Sequence, residues 1–210
     1  MKLQISYNIL DLNKALDVAQ QTAEYADILG VGSLMLLQNG AQAITSFKEK
    51  FPTKEIFAEA NIIEKGDLSV KVLAQAGAHY ISILSGGSIA TLKKSTEAGR
   101  EYGAKIMINL LDSVSLEQSA NDAKIIGAHG VIFHLTSMIK ETIGLDAAWQ
   151  SVRGNTSLPI FVTGNIVRES IHQIVALKPD VIMIGQGITN SDEPNQEASH
   201  FQSLVNSLHI

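Results

Sequence analysis

Three polar residues follow a short apolar segment, and their types could do chemistry on a small molecule. Glu59 and Asn61 lie two positions apart, just after the apolar residues 56–58, and Glu64 follows three positions later. Alternate residues of a strand point to one face, so Glu59 and Asn61 are predicted to project together from a strand end, with Glu64 on the loop beyond. Carboxylates exchange protons, and an amide donates hydrogen bonds to a reacting oxygen. Alternatively, Asn61 and Glu64 only begin a loop and cap the next helix.

A histidine is predicted at the end of a later strand. His134 follows the apolar residues 130–133, and an imidazole at that place could move a proton near neutral pH. The alternative is a structural histidine whose nitrogens only satisfy local hydrogen bonds. Two amides, Asn8 and Asn109, also fall where predicted strands end.

Two glycine-containing turns follow the last two predicted strands. They contain Gly164 and Asn165 in the first turn, and Gly185 and Gln186 in the second. Turns of this kind present backbone N–H groups and a helix N-terminus, which bind anions, so we predict a phosphate site at these four residues. The alternative is that the glycines only permit tight connections between strand and helix.

These residues are positioned by eight predicted strands that alternate with helices. The strand leading to Glu59 is the third; the other seven cover residues 3–9, 26–31, 80–84, 105–110, 130–134, 159–163 and 180–184. The helices between them include one over 41–51 and one over 140–153. Because the carboxyl ends of parallel strands meet at one end of a barrel, the polar residues are expected to gather there.

Eight strand–helix units in 210 residues average about 26 residues each. This is compact for a (β/α)8 barrel, which usually has roughly 200 residues or more. The main alternative is a doubly wound open sheet, which often has a glycine-rich loop after its first strand. The first strand here ends in Tyr7-Asn8-Ile9, without glycine. We therefore predict one (β/α)8 barrel domain over residues 1–210.

An internal repeat supports the regular architecture. Residues 74–83 and 124–133 share the pattern of a helix end, a glycine, Ala-His and a buried strand. Such self-similarity is typical of one structural unit used more than once.

Composition limits the classes of function. The hydrophobic fraction of 45% and charged fraction of 18% are typical of a globular chain, and the net charge of −5 argues against nucleic acid or an anionic membrane as partner. The chain has no cysteine, so disulfides, zinc–thiolate sites and thiol catalysis are excluded. No apolar segment approaches the roughly 18 residues of a membrane span, and the first residues are unlike a signal peptide, so we expect a cytoplasmic protein.

Several short segments spread along the chain resemble the orotidine-5′-phosphate decarboxylase superfamily. The resemblance is to its sugar-phosphate branch, 3-hexulose-6-phosphate synthase and 3-keto-L-gulonate-6-phosphate decarboxylase, and covers essentially the whole chain. The segments are Met1-Lys2-Leu3-Gln4, Ala26-Asp27-Ile28-Leu29, Phe57-Ala58-Glu59, Val131-Ile132-Phe133-His134, Val162-Thr163-Gly164 and Ile184-Gly185-x-Gly187-Ile188-Thr189.

The resemblance implies a barrel lyase that acts on a phosphorylated ketose through an enediolate. It also implies Mg²⁺ as the cofactor and no organic cofactor. The family forms homodimers with shared active sites, which implies that Glu64 reaches into the partner's site. Under this hypothesis Glu59 helps to hold the metal, Asn61 hydrogen-bonds the reacting oxygens and His134 moves a proton.

The chain departs from the family pattern at charged positions. The family's Asp-x-Lys-x-x-Asp motif is Glu59-x-Asn61-x-x-Glu64 here, so the lysine that stabilises the enediolate is an amide. A strand-two glutamate, which binds magnesium in the family, falls at Gly30, so a metal would depend on Glu59 with water and substrate oxygens.

Three further family positions are also uncharged here. The strand-one and strand-five acids fall at Asn8 and Asn109, and an arginine after the strand-six histidine falls at Ser137 or a neighbour. Two alternatives therefore stand beside the lyase. One is a phosphosugar-binding paralogue with a sensing or regulatory role; the other is an isomerase or epimerase that uses Glu59 or Glu64 with His134.

Overall fold

The computed structural model describes residues 1–136 and 144–207 and contains a closed barrel of parallel strands. Each strand pairs with the next in sequence, and the eighth pairs with the first. The strands are β1 (Lys2–Tyr7), β2 (Ile28–Val31), β3 (Glu55–Ile62), β4 (Tyr80–Leu84), β5 (Lys105–Asn109), β6 (Gly130–Leu135), β7 (Ile160–Gly164) and β8 (Val181–Ile184). The predicted (β/α)8 barrel is confirmed.

Helices connect the strands around the outside. They are α1 (Leu12–Thr22), α2 (Ser33–Asn39), α3 (Gln42–Lys50), α4 (Gly66–Gln75), α5 (Ile89–Tyr102), α6 (Leu116–Ile125), α7 (Leu145–Arg153), α8 (Ile171–Ala176), α9 (Gln186–Thr189) and α10 (Pro194–Asn206). Within the described residues, none is long and apolar enough to cross a membrane.

The connection between β2 and β3 differs from the prediction of one helix over 41–51. It contains two helices, because α2 ends at Gly40, whose positive φ of 59° turns the chain before α3 begins. The connection after β6 includes Ser137 and the start of the helix predicted over 140–153, which lie outside the described residues. In the described part of this connection, α7 begins at Leu145.

The inside of the barrel is filled by an apolar layer between two polar ends. This layer consists of Ile28, Phe57, Tyr80, Met107, Ile132, Phe161, Val181 and Met183. Its aromatic rings lie 5.6–6.0 Å apart. Because strand residues alternate in direction, polar side chains lie beyond the layer at both ends. At the carboxyl end they include Ser6 and Glu59, and at the amino end Lys2, Glu55 and Lys105.

A repeated hydrogen bond joins the strands in pairs at the amino end. In each case the residue just before an even-numbered strand accepts a bond from a backbone N–H of the preceding strand. The bonds run from Leu3 N to Asp27 Oδ2 (2.9 Å), Ile56 N to His79 Nδ1 (3.1 Å), Ile106 N to His129 Nδ1 (3.1 Å) and Ile160 N to Asp180 Oδ2 (2.8 Å). The repeat seen between residues 74–83 and 124–133 thus belongs to a fourfold pattern.

Candidate functional site at the carboxyl end of the barrel

Glu59 lies inside the barrel and is bound by two residues of β1. Gln4 Nε2 donates to Glu59 Oε1 at 2.8 Å, and Ser6 Oγ donates to the same oxygen. Burial raises the pKa of Glu59, and the hydrogen bonds from Ser6 and Gln4 oppose this rise without cancelling it. The groups that bind Glu59 Oε1 are neutral, so the carboxyl group is more readily protonated than an exposed glutamate.

Gly30 leaves the space that this cluster occupies. A Cβ atom at this position would collide with Glu59 Oε1 and lie 2.6 Å from Gln4 Nε2. The family's glutamate therefore could not be added at residue 30 without moving Glu59 and Gln4. The glycine and the cluster of Gln4, Ser6 and Glu59 form one packing arrangement.

Asn61 is held on the other side of the barrel mouth. Its backbone has a positive φ of 48°, and its N–H donates to Ser82 Oγ at 3.0 Å. Its Oδ1 accepts from Ser82 Oγ at 3.0 Å and from Asn109 Nδ2 at 2.9 Å. With Oδ1 bound twice, the Nδ2 amide group is the part of Asn61 that can donate to a ligand.

The simple alternation predicted for Glu59 and Asn61 is interrupted. The strand β3 continues past Glu59 to Ile62, but its pairing with β4 shifts register between Ala58 and Ile62. As a result Glu59 bonds to β1, whereas Asn61 bonds to β4 and β5. The two side chains therefore approach the barrel mouth from different sides.

Glu64 is exposed in the loop after β3. The capping alternative for Asn61 and Glu64 is wrong, because α4 is preceded by Lys65, which has a φ of 51°, and the helix has no side-chain cap.

His134 lies near the end of β6, beside Thr163 of β7 in the strand register. The side chain is partly buried, and burial lowers its pKa. A lowered pKa keeps more of the imidazole neutral near pH 7, which is the form that can accept a proton. The placement agrees with the predicted strand-end position.

Asn8 follows β1, as predicted, but its side chain has a structural partner. Its Oδ1 accepts from Leu34 N at 2.9 Å in the first turn of α2. A Cβ atom at Gly32 would lie only 2.5 Å from that oxygen, so Asn8 packs closely over the start of the helix. Asn8 is thus a helix cap. Asn109, by contrast, bonds to Asn61 in the mouth.

The two glycine turns lie against each other. A Cβ atom at Gly187, in α9, would lie 2.6 Å from the carbonyl oxygen of Ile166, in the loop after β7. Gly164 has a φ of 145° and packs against Leu135. Gly185 is next to Ser6, whose carbonyl oxygen would be 3.4 Å from an added Cβ atom. Among the predicted phosphate residues, Gly185 therefore borders the cluster around Glu59, and Asn165 and Gln186 are exposed in the two turns.

The described residues do not form a ligand set that fits Mg²⁺. They contain no group of three or more histidine, cysteine, aspartate or glutamate side chains that could hold a metal. Glu59 Oε1 and Asn61 Oδ1 each accept two hydrogen bonds, and Asn109 Oδ1 accepts from Leu111 N at 3.1 Å. Oxygen atoms committed in this way are poor ligands for a hard cation that needs several of them.

Three further polar residues of the site, Gln4, Ser6 and Ser82, were not predicted from the sequence. Their signal was nonetheless present, because Gln4 and Ser6 alternate with the apolar residues of β1, and Ser82 interrupts the apolar β4. A polar residue at an inward position of a barrel strand should find a polar partner.

The fold and the polar strand ends define a (β/α)8 barrel with a candidate ligand site at its carboxyl end. The sequence model of the Orotidine 5'-phosphate decarboxylase / HUMPS family matches residues 1–201, and the chain belongs to this family.

Curated relatives and solved structures extend the comparison over the full length. The chain is 26% identical to a 3-hexulose-6-phosphate synthase of Staphylococcus epidermidis, covering 98% of this chain and 99% of the relative. The crystal structure of 3-hexulose-6-phosphate synthase from Salmonella typhimurium matches with a TM-score of 0.91 and 26% identity, covering 98% of each chain. The 3-keto-L-gulonate-6-phosphate decarboxylase of Vibrio cholerae matches with a TM-score of 0.84 at 22% identity, covering 98% of this chain and 97% of the other, a likeness of fold.

Proposed function

We propose that this chain binds a phosphorylated ketose at the carboxyl end of the barrel and acts as a lyase of the 3-hexulose-6-phosphate synthase type. The observation that carries the proposal is the convergence of Glu59, Asn61 and the two glycine turns on one barrel mouth, in a chain of this family. The curated relatives with this name match nearly their whole length. We include the related decarboxylase chemistry, which uses the same kind of intermediate.

The phosphate group is assigned to the glycine turns. The first N–H groups of α9 have no acceptor within the helix, and Gly185 brings them beside Ser6. Gly164 and Asn165 supply the neighbouring turn. A phosphate there leaves the sugar carbons directed toward the Glu59 cluster.

The proton step is assigned to His134 and the charge stabilisation to Asn61. His134 takes the proton from the carbon next to the ketose carbonyl, and the electrons of that C–H bond form the carbon–carbon double bond of an enediolate. Asn61 Nδ2 donates a hydrogen bond to the oxygen that becomes negative. Glu59, with its raised pKa, can donate a proton to a second oxygen when it is protonated.

This arrangement lacks the strongest stabilisation used in the family pattern. Asn61 supplies a dipole where a lysine would supply a full charge, and we route no step through Mg²⁺ because the donor set does not fit it. Losing one preorganised donor typically costs about 10²–10³ in rate. We therefore expect turnover well below that of a chain with the family lysine.

A second candidate function is favoured by the neutral network around Asn61. The bonds among Asn61, Ser82 and Asn109 are well formed without any charged group. Such a mouth can bind a phosphosugar without turnover, as a sensing or regulatory paralogue would.

Binding and enediolate formation can be tested separately. Ribulose 5-phosphate should bind in calorimetry, whereas unphosphorylated ribulose should bind far more weakly. In D₂O, NMR should show slow loss of the proton next to the ketose carbonyl. Binding without exchange would favour the sensing function over the lyase, and absence of binding would contradict both.

Gly185 offers a direct test of the phosphate position. An added Cβ atom would make only ordinary contact with Ser6, so Gly185→Ala and Gly185→Val should fold. We expect graded loss of ribulose 5-phosphate affinity, with valine worse than alanine, at little changed melting temperature. Unchanged affinity in both variants would put the phosphate elsewhere.

We also propose that the chain forms a homodimer through the surface beside Glu64. Ile63, Leu68 and Val72 are large apolar residues that are 50%, 60% and 54% exposed. Together they give the loop and α4 an apolar surface, and such patches commonly mark protein interfaces. Burying it against a second copy would bring Glu64 close to the partner's barrel mouth.

A further inference from the structure

A second cavity opens at the amino end of the barrel, opposite the mouth that contains Glu59. It has a volume of about 610 Å³, within the range of roughly 300–1,000 Å³ typical of small-molecule sites. The side chains that decide its chemistry are Lys2, Tyr80, Lys105, Met107, His129 and Phe161. The apolar layer of the barrel forms its floor.

The floor suits an apolar or aromatic group. Met107 and Phe161 are buried, and the rings of Tyr80 and Phe161 lie 5.7 Å apart at a tilt of 54°. Both rings and the thioether of Met107 line the cavity. A flat ring entering the cavity could therefore pack against aromatic and sulfur groups, which favour such contacts.

The rim carries more positive than negative charge. Lys2 and Lys105 share the single carboxylate of Glu55 at 3.6 and 3.5 Å, longer than the roughly 2.7–2.9 Å of a strong charged hydrogen bond. Asp180, whose carboxylate lines the cavity, is bound by Arg153 at 2.9 Å and by Ile160 N at 2.8 Å. One positive charge of the two lysines is thus left without a full counter-charge among these side chains.

Lys105 is also oriented toward the aromatic wall. Its Nζ donates to Tyr80 Oη at 3.0 Å and lies 4.6 Å from the centre of the Tyr80 ring. An anionic group held by Lys105 would therefore lie beside the ring at the edge of the apolar floor.

His129 adds a neutral donor to the same rim. Its Nδ1 accepts a hydrogen bond from Ile106 N, which assigns the ring proton to Nε2. Burial, with the charges of Arg100 and Lys105, lowers the pKa of His129 and favours this neutral form. The His129 side chain is half-buried between the strand pair and the cavity.

We propose that this amino-end cavity is a binding site for a small monocarboxylate with an aromatic or compact apolar body. The carboxylate contacts Lys105 and Lys2, with His129 as a further donor, and the body packs on Tyr80, Met107 and Phe161. The negative charge of the carboxylate matches the surplus of positive charge left where Lys2 and Lys105 share Glu55. The site is separated from the carboxyl-end mouth by the apolar layer of the barrel.

Benzoate is a suitable probe, with benzamide as its neutral counterpart. Titration calorimetry or ligand-observed NMR on the full chain should show saturable binding of benzoate and much weaker binding of benzamide. No saturable binding of benzoate, or equal binding of the two, would overturn the proposal.

Two charge variants should change the affinity in opposite directions. Lys105→Met removes the cation and should weaken benzoate binding roughly threefold to fivefold, whereas Glu55→Gln frees both lysines and should strengthen it by a similar factor. Lys71→Met is the matched control, because Lys71 also lies over a tyrosine ring, that of Tyr102 at 5.7 Å, but away from the cavity. It should leave benzoate affinity unchanged.

The opposite signs keep the test decisive if one variant is unstable. If Lys105→Met does not fold, a gain in affinity in Glu55→Gln supports the site and no gain overturns it. If both variants fold and neither changes benzoate affinity, any benzoate binding occurs elsewhere and the proposal fails.

Discussion

At the scale of single residues, the candidate site combines a carboxyl group of raised pKa with neutral partners. Glu59 is half-buried against the buried Gln4 and Ser6, and Gln4 Oε1 has no hydrogen-bond partner among the described residues. An ionised carboxylate in such surroundings is costly, because neutral dipoles only partly replace its hydration. Glu59 should therefore make the stability of the fold depend on pH.

Replacing Glu59 by glutamine should stabilise the protein at high pH. The pKa of Glu59 is raised above its usual 4.5, so the folded state holds the proton more tightly than the unfolded state, and its contribution to stability is lost as the pH rises through the folded-state value. We expect Glu59→Gln to raise the melting temperature by about 2–4 °C at pH 8, the shift for roughly 1 kcal/mol. At pH 4 it should change little.

The control for this measurement is Glu64→Gln, which alters an exposed carboxylate in the loop just after β3. It should not change the melting temperature at either pH. A loss of stability in Glu59→Gln at pH 8 would mean that the ionised form is the favoured one in the fold.

A lysine at position 61 should increase enediolate formation. The double variant Asn109→Asp with Asn61→Lys supplies a cation and an acid to pair with it, because the side chains of Asn109 and Asn61 already lie 2.9 Å apart. We expect deuterium exchange into ribulose 5-phosphate to rise on the order of tenfold, more than in either single variant, as for groups that act as a unit. Asn61→Met, an uncharged chain of similar length, should not increase exchange.

At the scale of elements, the barrel is organised in strand pairs at its amino end. Aspartate and histidine take the same place before the even-numbered strands, because either can accept a hydrogen bond from a backbone N–H. At the carboxyl end the elements are less regular, since β3 shifts its register before Asn61. Repetition at the amino end and irregularity at the carboxyl end agree with a barrel whose proposed catalytic residues lie at the carboxyl end.

The equivalence of histidine and aspartate in these pairs can be tested at position 79. His79→Ala should lower the free energy of unfolding by about 1–3 kcal/mol, because it leaves the buried N–H of Ile56 without an acceptor. His79→Asp should recover most of this loss, since Asp27 and Asp180 make the same bond elsewhere. Urea denaturation measures the difference, with the exposed His172→Ala as the control that should change little.

At the scale of the whole molecule, the proposed dimer joins the site to the surface of α4. Leu68→Asp should shift the protein to a monomer in analytical ultracentrifugation, because the proposed interface would then bury a charge without a partner. Val114→Asp changes a fully exposed apolar residue in the loop before α6 and should not alter the mass. A wild-type chain that is monomeric at micromolar concentration would contradict the proposed dimer.

The sequence by itself determined the barrel and the end at which its polar residues gather. Strand and helix periodicities, and the polar residues at strand ends such as Glu59 and His134, are local features that the chain expresses wherever it folds. Glycine turns such as that at Gly164 are also local. For this reason the eight strands were predicted correctly, and the missed helix α2 was a short segment ended by Gly40.

Only the tertiary structure decided which partners these residues have. Glu59 bonds to residues 53 and 55 positions earlier, and Asn61 to residues 21 and 48 positions later, and no local pattern specifies such distances along the chain. Strand register and closure of β8 onto β1 set them. Register and closure together bring Lys2, Lys105 and His129 around one cavity. They also pack the side chains of Gln4 and Glu59 so closely against residue 30 that only the hydrogen atom of a glycine fits there.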